Sequence, residues 1–218
     1  LVKAGVNRST ITMFSWAALA YSFKFIWTPL IDNLHLPFKN YGHRKSWLLI
    51  SQIMIVLSLI FISFTDPSET LILTAVGAVL IAFSSATQDV LIDAYRIESA
   101  PQKYQGALSS LYIAGYRIAM LVAGAGSLLL ASHLGVEVYN VEVWKIVYLT
   151  MASLMLIGIF TTLFSPEPNI KRNLSLLSLS DQMRFLITFI FALSIFVLAY
   201  SNIDNPFTNK EPLGKFAY

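Results

Sequence analysis

Long apolar stretches alternate with short polar segments along most of this chain. The apolar stretches cover residues 10–31, 47–64, 71–92, 106–131, 144–164 and 184–200. Because a helix rises about 1.5 Å per residue, roughly 20 apolar residues cross the hydrocarbon core of a bilayer. The pattern predicts an all-α fold, a polytopic bundle of transmembrane helices embedded in a lipid bilayer.

The connecting segments differ in charge. Lysines and arginines occur in the connectors 32–46, 94–105 and 165–184, whereas the connectors 65–70 and 131–143 contain none. Basic loops remain on the cytoplasmic side, so the three basic connectors are predicted to be cytoplasmic. Lys3 and Arg8 then fall on the outer side, which fits a chain that lacks one earlier span.

The same pattern predicts the domain organisation. Residues 1–165 are expected to form a helix bundle, 166–182 a central cytoplasmic loop and 183–201 a further span. Residues 202–218 contain prolines and no apolar run, so we expect a disordered tail. The chain begins without Met and without a signal peptide, and we interpret it as a fragment or truncated product.

Composition narrows the class of protein. With 56% hydrophobic residues, 12% charged residues and a mean hydropathy of +0.65, the chain is not an ordinary soluble domain. Its basic residues lie between apolar stretches, so they indicate membrane topology and not nucleic-acid binding. Cysteine is absent, and the histidines lack metal-ligand spacing. We therefore predict no enzyme, no metal and no cofactor.

Ionisable residues interrupt the third apolar stretch. Asp89 and Asp93 are four residues apart and Arg96 follows three later, so all three share one helical face. An ionisable group at membrane depth costs roughly 3 kcal/mol and normally faces a polar cavity or an opposite charge. We expect Gln88 and Asp89 to face a transport pathway. For Arg96, a helix end with an Asp93–Arg96 pair is an equal alternative.

Two further stretches contain buried basic and aromatic residues. Tyr21 and Lys24 lie in the first stretch, where Lys24 either reaches towards the headgroups or faces the pathway. Tyr116 and Arg117 lie in the fourth, and Arg117 is about three turns inside it. Because a guanidinium remains charged, Arg117 is expected to need an acceptor on the pathway or in an ion pair.

Small residues recur every four positions on two of the predicted helices. They are Ala78, Ala82 and Ala86 on the third stretch and Gly115, Ala119, Ala123 and Ser127 on the fourth. Such ridges allow close helix approach in membranes. We therefore expect the third and fourth helices to pack tightly together.

The order of spans resembles a known superfamily. Five spans, a long central loop and a further span resemble the amino-terminal half of a major facilitator superfamily transporter that lacks its first helix. Restoring that helix would give six spans before the loop and a seventh after it. The connector after the first span adds Asp32 and then Gly42-His43-Arg44-Lys45, which resembles the loop motif of that superfamily. The insertion between acid and glycine is longer than usual, and His43 replaces a common basic residue.

Three segments carry a more specific resemblance. Residues 19–32, 85–96 and 115–122 are similar to the AmpG-type muropeptide permeases of Gram-negative bacteria, a likeness that extends over about residues 1–200. The resemblance implies a proton-driven permease of the bacterial inner membrane. Such a permease imports anhydromuropeptides for cell-wall recycling and for induction of β-lactamase.

With this resemblance, the residues receive expected roles. Asp89 or Asp93 would bind the coupling proton, since desolvation favours the protonated form of a carboxylate. Arg117 and Lys24 would hold peptide carboxylates, and Ala86 would let substrate approach the helix backbone. Gln88, Tyr116 and Tyr21 would meet sugar hydroxyls. The loop residues Asp32, Gly42, Arg44 and Lys45 would act on the conformational equilibrium.

Two alternatives remain open on the sequence. The chain is either a transporter or a non-transporting remnant, which includes a half transporter that pairs with a separately encoded second half. The carried solute is either a muropeptide or another molecule such as acyl-CoA or sugar.

Overall fold

The structure, a computed structural model, describes residues 1–2, 4–33, 42–135 and 139–168 and the single positions Arg184, Ile187 and Phe191. The chain divides into two compact units, Leu1–Arg172 and Asn173–Tyr218. In the second unit only the three single positions are described, and each is helical. Most of the predicted loop 166–182 and span 183–201, and all of the predicted tail 202–218, lie outside the described residues.

The first unit is built from helices. They are α1 (Arg8–Phe14), α2 (Leu19–Phe23), α3 (Thr28–Asn33), α4 (His43–Ser63), α5 (Leu71–Ser99), α6 (Gln105–Leu121), α7 (Ser127–His133) and α8 (Val141–Phe164). Short 3₁₀ turns separate α1, α2 and α3, and a π-helical turn at Val122–Gly126 joins α6 to α7. No strand occurs in the ranges that the structure describes, and the predicted all-α fold is confirmed.

Within those ranges, four helical stretches are long and apolar enough to cross a membrane. They are α4, α5, the run from Gln102 to His133 and α8. They coincide with the predicted stretches 47–64, 71–92, 106–131 and 144–164. The helix α5 is longer than predicted and continues to Ser99, because Pro101 is the first residue that a helix cannot accommodate.

The first apolar stretch, 10–31, does not form one continuous helix. The segment is helical but broken into α1, α2 and α3 by 3₁₀ turns at Ser15–Ala18 and Lys24–Ile26. Pro29 explains the second break, since its ring would collide with the carbonyl of Phe25 in an unbroken α-helix. In the structure Pro29 lies in the first turn of α3, where proline is tolerated.

The helix α4 is the centre of the packing and contacts both α5 and α8 along their lengths. Gly77 marks the closest approach of α5, because a Cβ there would lie 2.3 Å from Cγ1 of Ile62. On the other side, the amide nitrogen of Gln52 donates to Oγ1 of Thr162 at 2.8 Å. Both contacts are buried and fix the two neighbours of α4.

The predicted tight packing of α5 against α6 is wrong. No residue in the apolar window of the Gln102–His133 run is buried within the described part. A Cβ at Gly115 would meet no atom of the described residues within 4 Å. Small residues permit close approach but do not select the partner helix, and α5 makes its close approach to α4 through Gly77 instead.

Candidate functional site

An ion pair joins the broken first span to α5. Lys24, in the 3₁₀ turn between α2 and α3, donates from Nζ to Oδ2 of Asp89 at 2.5 Å. The two side chains are 32% and 25% exposed, so both are largely withdrawn from the surface. Asp89 lies ten residues, about 15 Å, before the end of α5 at Ser99. Two opposite charges therefore neutralise each other well inside an apolar helix pair.

A third element reaches the same carboxylate. The hydroxyl of Tyr112 on α6 donates to Oδ1 of Asp89 at 2.7 Å. Each oxygen of Asp89 thus has its own donor, one cationic and one neutral. The side chain joins the first span, α5 and α6 at one point.

The structure contains the Asp93–Arg96 ion pair that was one of the two alternatives for Arg96. Arg96 pairs with Oδ1 of Asp93 at 3.1 Å, one turn back on α5. Its guanidinium also donates to the hydroxyl of Ser109 and stands 5.3 Å from the centre of the Tyr112 ring. The Asp93–Arg96 pair therefore forms a second link between α5 and α6.

The remaining predicted pathway residues are spread over the bundle. Tyr21 shares a hydrogen bond with Ser85 of α5, and Gln88 is half-buried beside Asp89. Tyr116 and Arg117 lie on the exposed surface of α6, and Arg117 has no hydrogen bond or ion pair with the described residues. Ala86 is completely buried. That Ala86 lets substrate approach the helix backbone stays a prediction.

An indole adds a further contact between the same elements. Nε1 of Trp27 donates to Oγ1 of Thr87 at 3.1 Å, and its ring lies 4.7 Å from the ring of Phe83. Trp27 also packs against a buried core of Ile31, Leu48 and Leu91. This core holds the 3₁₀ turn, and with it Lys24, against α5.

A second charged cluster surrounds Arg44 at the start of α4. Arg44 is only 6% exposed and donates to Asp32 at 2.5 Å and to Glu98 at 2.6 Å. A third bond, from Nε, also reaches Glu98. One guanidinium therefore ties the ends of α3, α4 and α5 together, in a fork geometry that lysine does not offer.

The segment after α8 joins this second cluster. Glu167 accepts hydrogen bonds from the backbone N–H groups of Arg44 at 2.9 Å and Lys45 at 3.1 Å. These N–H groups open α4 and have no acceptor within the helix, and the negative charge also suits the positive end of the helix dipole. The ammonium of Lys45 donates to the carbonyl of Leu163, and the hydroxyl of Tyr95 donates to that of Pro166.

Gly42 is required by this arrangement in two ways. Its φ of +79° lies in the region that glycine alone adopts easily. A Cβ there would also lie 2.4 Å from Cδ of Glu167. The loop residues Asp32, Gly42, Arg44 and Lys45, predicted as one group, are thus brought together.

At the other end of the bundle, Asp66 lies in the connector between α4 and α5. It accepts hydrogen bonds from the hydroxyl of Tyr139 and the backbone N–H of Ser68. Burial, and the hydrogen bond to Asp66, raise the pKa of Tyr139 above its usual value. The tyrosine therefore remains a neutral donor that holds the segment before α8 against this connector.

Three residues of the two clusters escape sequence reasoning. Glu98 follows Asp89 by nine residues, about two and a half turns, so it points away from the predicted acidic stripe. Glu167 is isolated between two prolines in a connector. For Tyr112 the sequence does contain a signal, because Gln105, Ser109, Tyr112 and Tyr116 form a polar stripe at helical spacing.

The described part of the site therefore consists of charged side chains and hydroxyl groups. Within the described ranges, no group of three or more His, Asp or Glu side chains could hold a metal ion. Ionisable side chains placed inside apolar helices are typical of substrate, ion or proton pathways in membrane proteins.

Comparison with known proteins gives the family. The Major Facilitator Superfamily profile matches residues 5–208 of the chain. The anhydromuropeptide permease of Escherichia coli (strain K12) is 38% identical over 164 residues, which cover 75% of this chain and 31% of that protein.

Two other relatives extend the comparison. A putative transporter AmpG 1 of Rickettsia bellii is 30% identical over 217 residues, which cover 94% of this chain and 52% of the relative. An uncharacterized protein of Haemophilus influenzae is 42% identical over 153 residues, which cover 70% of this chain and 34% of that protein. The chain spans about a third to a half of the length of the curated relatives it matches. With its helical spans and intramembrane charges, this chain belongs to the Major Facilitator Superfamily and is similar to the AmpG-type permeases within it.

Proposed function

We propose that this chain acts, alone or with a second membrane unit, in the proton-coupled import of anhydromuropeptides across the bacterial inner membrane. Membership of the superfamily and the likeness to an anhydromuropeptide permease support this proposal. The observation that carries it is the Lys24–Asp89 pair inside the apolar bundle. Ionisable groups at this depth are costly and mark pathways when they occur.

In this proposal the pair has two functions in import: Asp89 binds the proton and Lys24 binds the substrate. Protonation of Asp89 removes its attraction for Lys24, and the freed ammonium then binds a carboxylate of the peptide stem. Asp93 is bound to Arg96 and is the second candidate for the proton. In this proposal Gln88, Tyr21 and Tyr116 meet the sugar, and Arg117 meets a second carboxylate.

The cluster around Arg44 has a different role in the proposal. It ties α3, α4 and α5 to the segment that follows α8, at an end of the bundle that we expect on the cytoplasmic side from the charge of the connectors. Breaking or forming these bonds changes the relative stability of two arrangements of the bundle and leaves the substrate contacts unchanged.

The exposed run of α6 and α7 favours a second membrane unit. Arg117 lies twelve residues, about 18 Å, after Gln105 and has no acceptor among the described residues. A charge at this depth requires an acceptor in the complete assembly. We propose that the second unit, or its bound substrate, covers this surface.

The test is uptake in a Gram-negative strain that lacks its muropeptide permease. Cells expressing the chain should accumulate labelled anhydromuropeptide, and excess unlabelled muropeptide should compete where sugar or acyl-CoA does not. Immunoblots of the inner-membrane fraction establish insertion. If an inserted protein gives no uptake, even together with the second half of a relative, the proposed function is wrong.

Substituted chains test the role of the site. Asp89→Asn and Arg117→Gln should each lower uptake on the order of tenfold, since a lost interaction of about 1.4 kcal/mol has that effect. Glu69→Gln is the control, because Glu69 is exposed in the connector before α5. Equal uptake by Asp89→Asn and Glu69→Gln would remove Asp89 from the proposal.

A further inference from the structure

Tyr112 occupies the centre of the two intramembrane ion pairs. Its hydroxyl donates to Oδ1 of Asp89 at 2.7 Å, while Lys24 holds the other oxygen of the same carboxylate at 2.5 Å. Its ring lies beneath the guanidinium of Arg96, 5.3 Å away, and Arg96 pairs with Asp93. One side chain therefore contacts one member of each pair.

The two contacts stabilise opposite charges: the hydroxyl of Tyr112 stabilises an anion and its ring stabilises a cation. A hydroxyl that donates to a carboxylate stabilises its ionised form and opposes the uptake of a proton. The ring stabilises the guanidinium through its negative face. When Asp89 takes up a proton, the hydroxyl loses an ionised acceptor while the ring retains its cation.

The other charged and titratable groups around Asp89 come from three directions. The first span contributes Lys24 and Tyr21, α5 itself contributes Asp93 and Arg96, and α6 contributes Tyr112, with Tyr116 close to Tyr21. The ionisable side chains of α4 are limited to His43, Arg44 and Lys45 at its start. Among the described residues, Lys24 and Tyr112 are the side chains that bond directly to the carboxylate of Asp89.

The contact also has a mechanical consequence. Most of α6 is exposed, and its side-chain bonds to α5 are those of Tyr112 with Asp89, Ser109 with Arg96 and Gln105 with the carbonyl of Ile97. A weaker bond at Asp89 therefore loosens α6 from α5. The Arg96 contacts remain as a hinge three residues away along α6.

We propose that Tyr112 is the positioning residue for Asp89: it orients the carboxylate towards Lys24, sets the pH at which Asp89 takes up a proton and transmits that event to α6. This role deepens the proposed function and rests on it for its biological meaning. The titration itself is a property of the protein and is measurable without transport.

The experiment is an infrared titration of the full chain in lipid membranes. The carbonyl stretch of protonated Asp89 is identified as the band that Asp89→Asn removes, and its intensity is followed with pH. Tyr112→Phe removes one oxygen and keeps the ring over which Arg96 stands. We expect its midpoint to move upward by about one pH unit, the effect of losing one hydrogen bond to a charged group.

Two further variants make the result decisive. Tyr104→Phe makes the same chemical change on an exposed tyrosine at the start of the same run and should leave the midpoint unchanged. A fluorinated tyrosine at position 112 is a stronger donor and should move the midpoint downward, which no general loosening of the fold would produce.

The outcomes separate the two proposals. If Tyr112→Phe and the wild type share a midpoint, or if Asp89 titrates in neither, the role of Tyr112 is wrong. If the midpoints shift as expected but no variant takes up muropeptide, the role of Tyr112 stands and the proposed function fails.

Discussion

At the scale of single residues, Asp89 accepts one hydrogen bond on each carboxylate oxygen, from Lys24 and from Tyr112. Lys24 and Asp89 are mostly withdrawn from the surface, so each ion needs the other. Removing one partner from a buried pair leaves an uncompensated charge, whereas removing both leaves two neutral groups. The energetics of the pair are therefore not additive.

A double-mutant cycle should reveal this dependence. Lys24→Gln and Asp89→Asn are each expected to lower the free energy of unfolding by about 1–3 kcal/mol. The double variant should lose less than the sum of the two. Thermal unfolding in detergent gives the comparison, and strictly additive losses would mean that the ion pair does not form.

Gly42 gives a second prediction at this scale. Gly42→Ala forces an alanine into positive φ and places its Cβ 2.4 Å from Cδ of Glu167, so we expect a loss of about 1–3 kcal/mol. Gly135→Ala is the matched control, since φ is +86° there and no atom of the described part of the chain lies within 4 Å of its Cβ. The melting temperature should fall further for Gly42→Ala. Equal falls would show that Glu167 does not approach Gly42.

At the scale of elements, the position of α4 between α5 and α8 explains where the bundle is rigid. Gly77 lets α5 reach Ile62, which is 6% exposed. A glycine inside a helix normally costs about 1 kcal/mol relative to alanine. Here the close approach outweighs that cost, because a methyl group would overpack a buried contact.

Gly77→Ala should therefore destabilise the chain although alanine is the better helix former. We expect a loss of about 1–3 kcal/mol from overpacking, against a gain of about 1 kcal/mol from propensity. Gly115→Ala, on the exposed surface of α6 with no atom near its Cβ, should be neutral or stabilising. The unfolding midpoint should fall for Gly77→Ala and should stay or rise for Gly115→Ala. A stabilised Gly77→Ala would mean that α4 and α5 are further apart.

The helices were predicted from the sequence only in part. The apolar runs predicted the four long spans because the length of an apolar helix is a local property. The ridge at Gly115 and Ala119 led to a wrong prediction, since small residues do not determine which helix packs against them. Pro29 alone did not predict two 3₁₀ turns. Glu98 contacts Arg44, and Glu167 contacts the start of α4, only through the tertiary fold. Their spacing from Arg44 along the chain does not indicate either contact.

At the scale of the whole molecule, the basic connectors predict one orientation in the bilayer. The chain has no cysteine, so single cysteines report accessibility without background. A cysteine replacing Glu69, in the connector without basic residues, should react with an impermeant thiol reagent in intact spheroplasts. A cysteine replacing Lys103 should react only after lysis, and the reverse pattern would invert the topology.

The Lys24–Asp89 pair gives the most direct test of the whole proposal. Wild-type chain and Asp89→Asn, each supplied with any second half that uptake requires, are placed in liposomes with labelled anhydromuropeptide. Uphill uptake driven by a proton gradient should occur for the wild type and be lost for Asp89→Asn, while exchange of internal for external substrate continues in both. Uphill uptake by Asp89→Asn at the wild-type rate would contradict the role of this carboxylate in proton coupling.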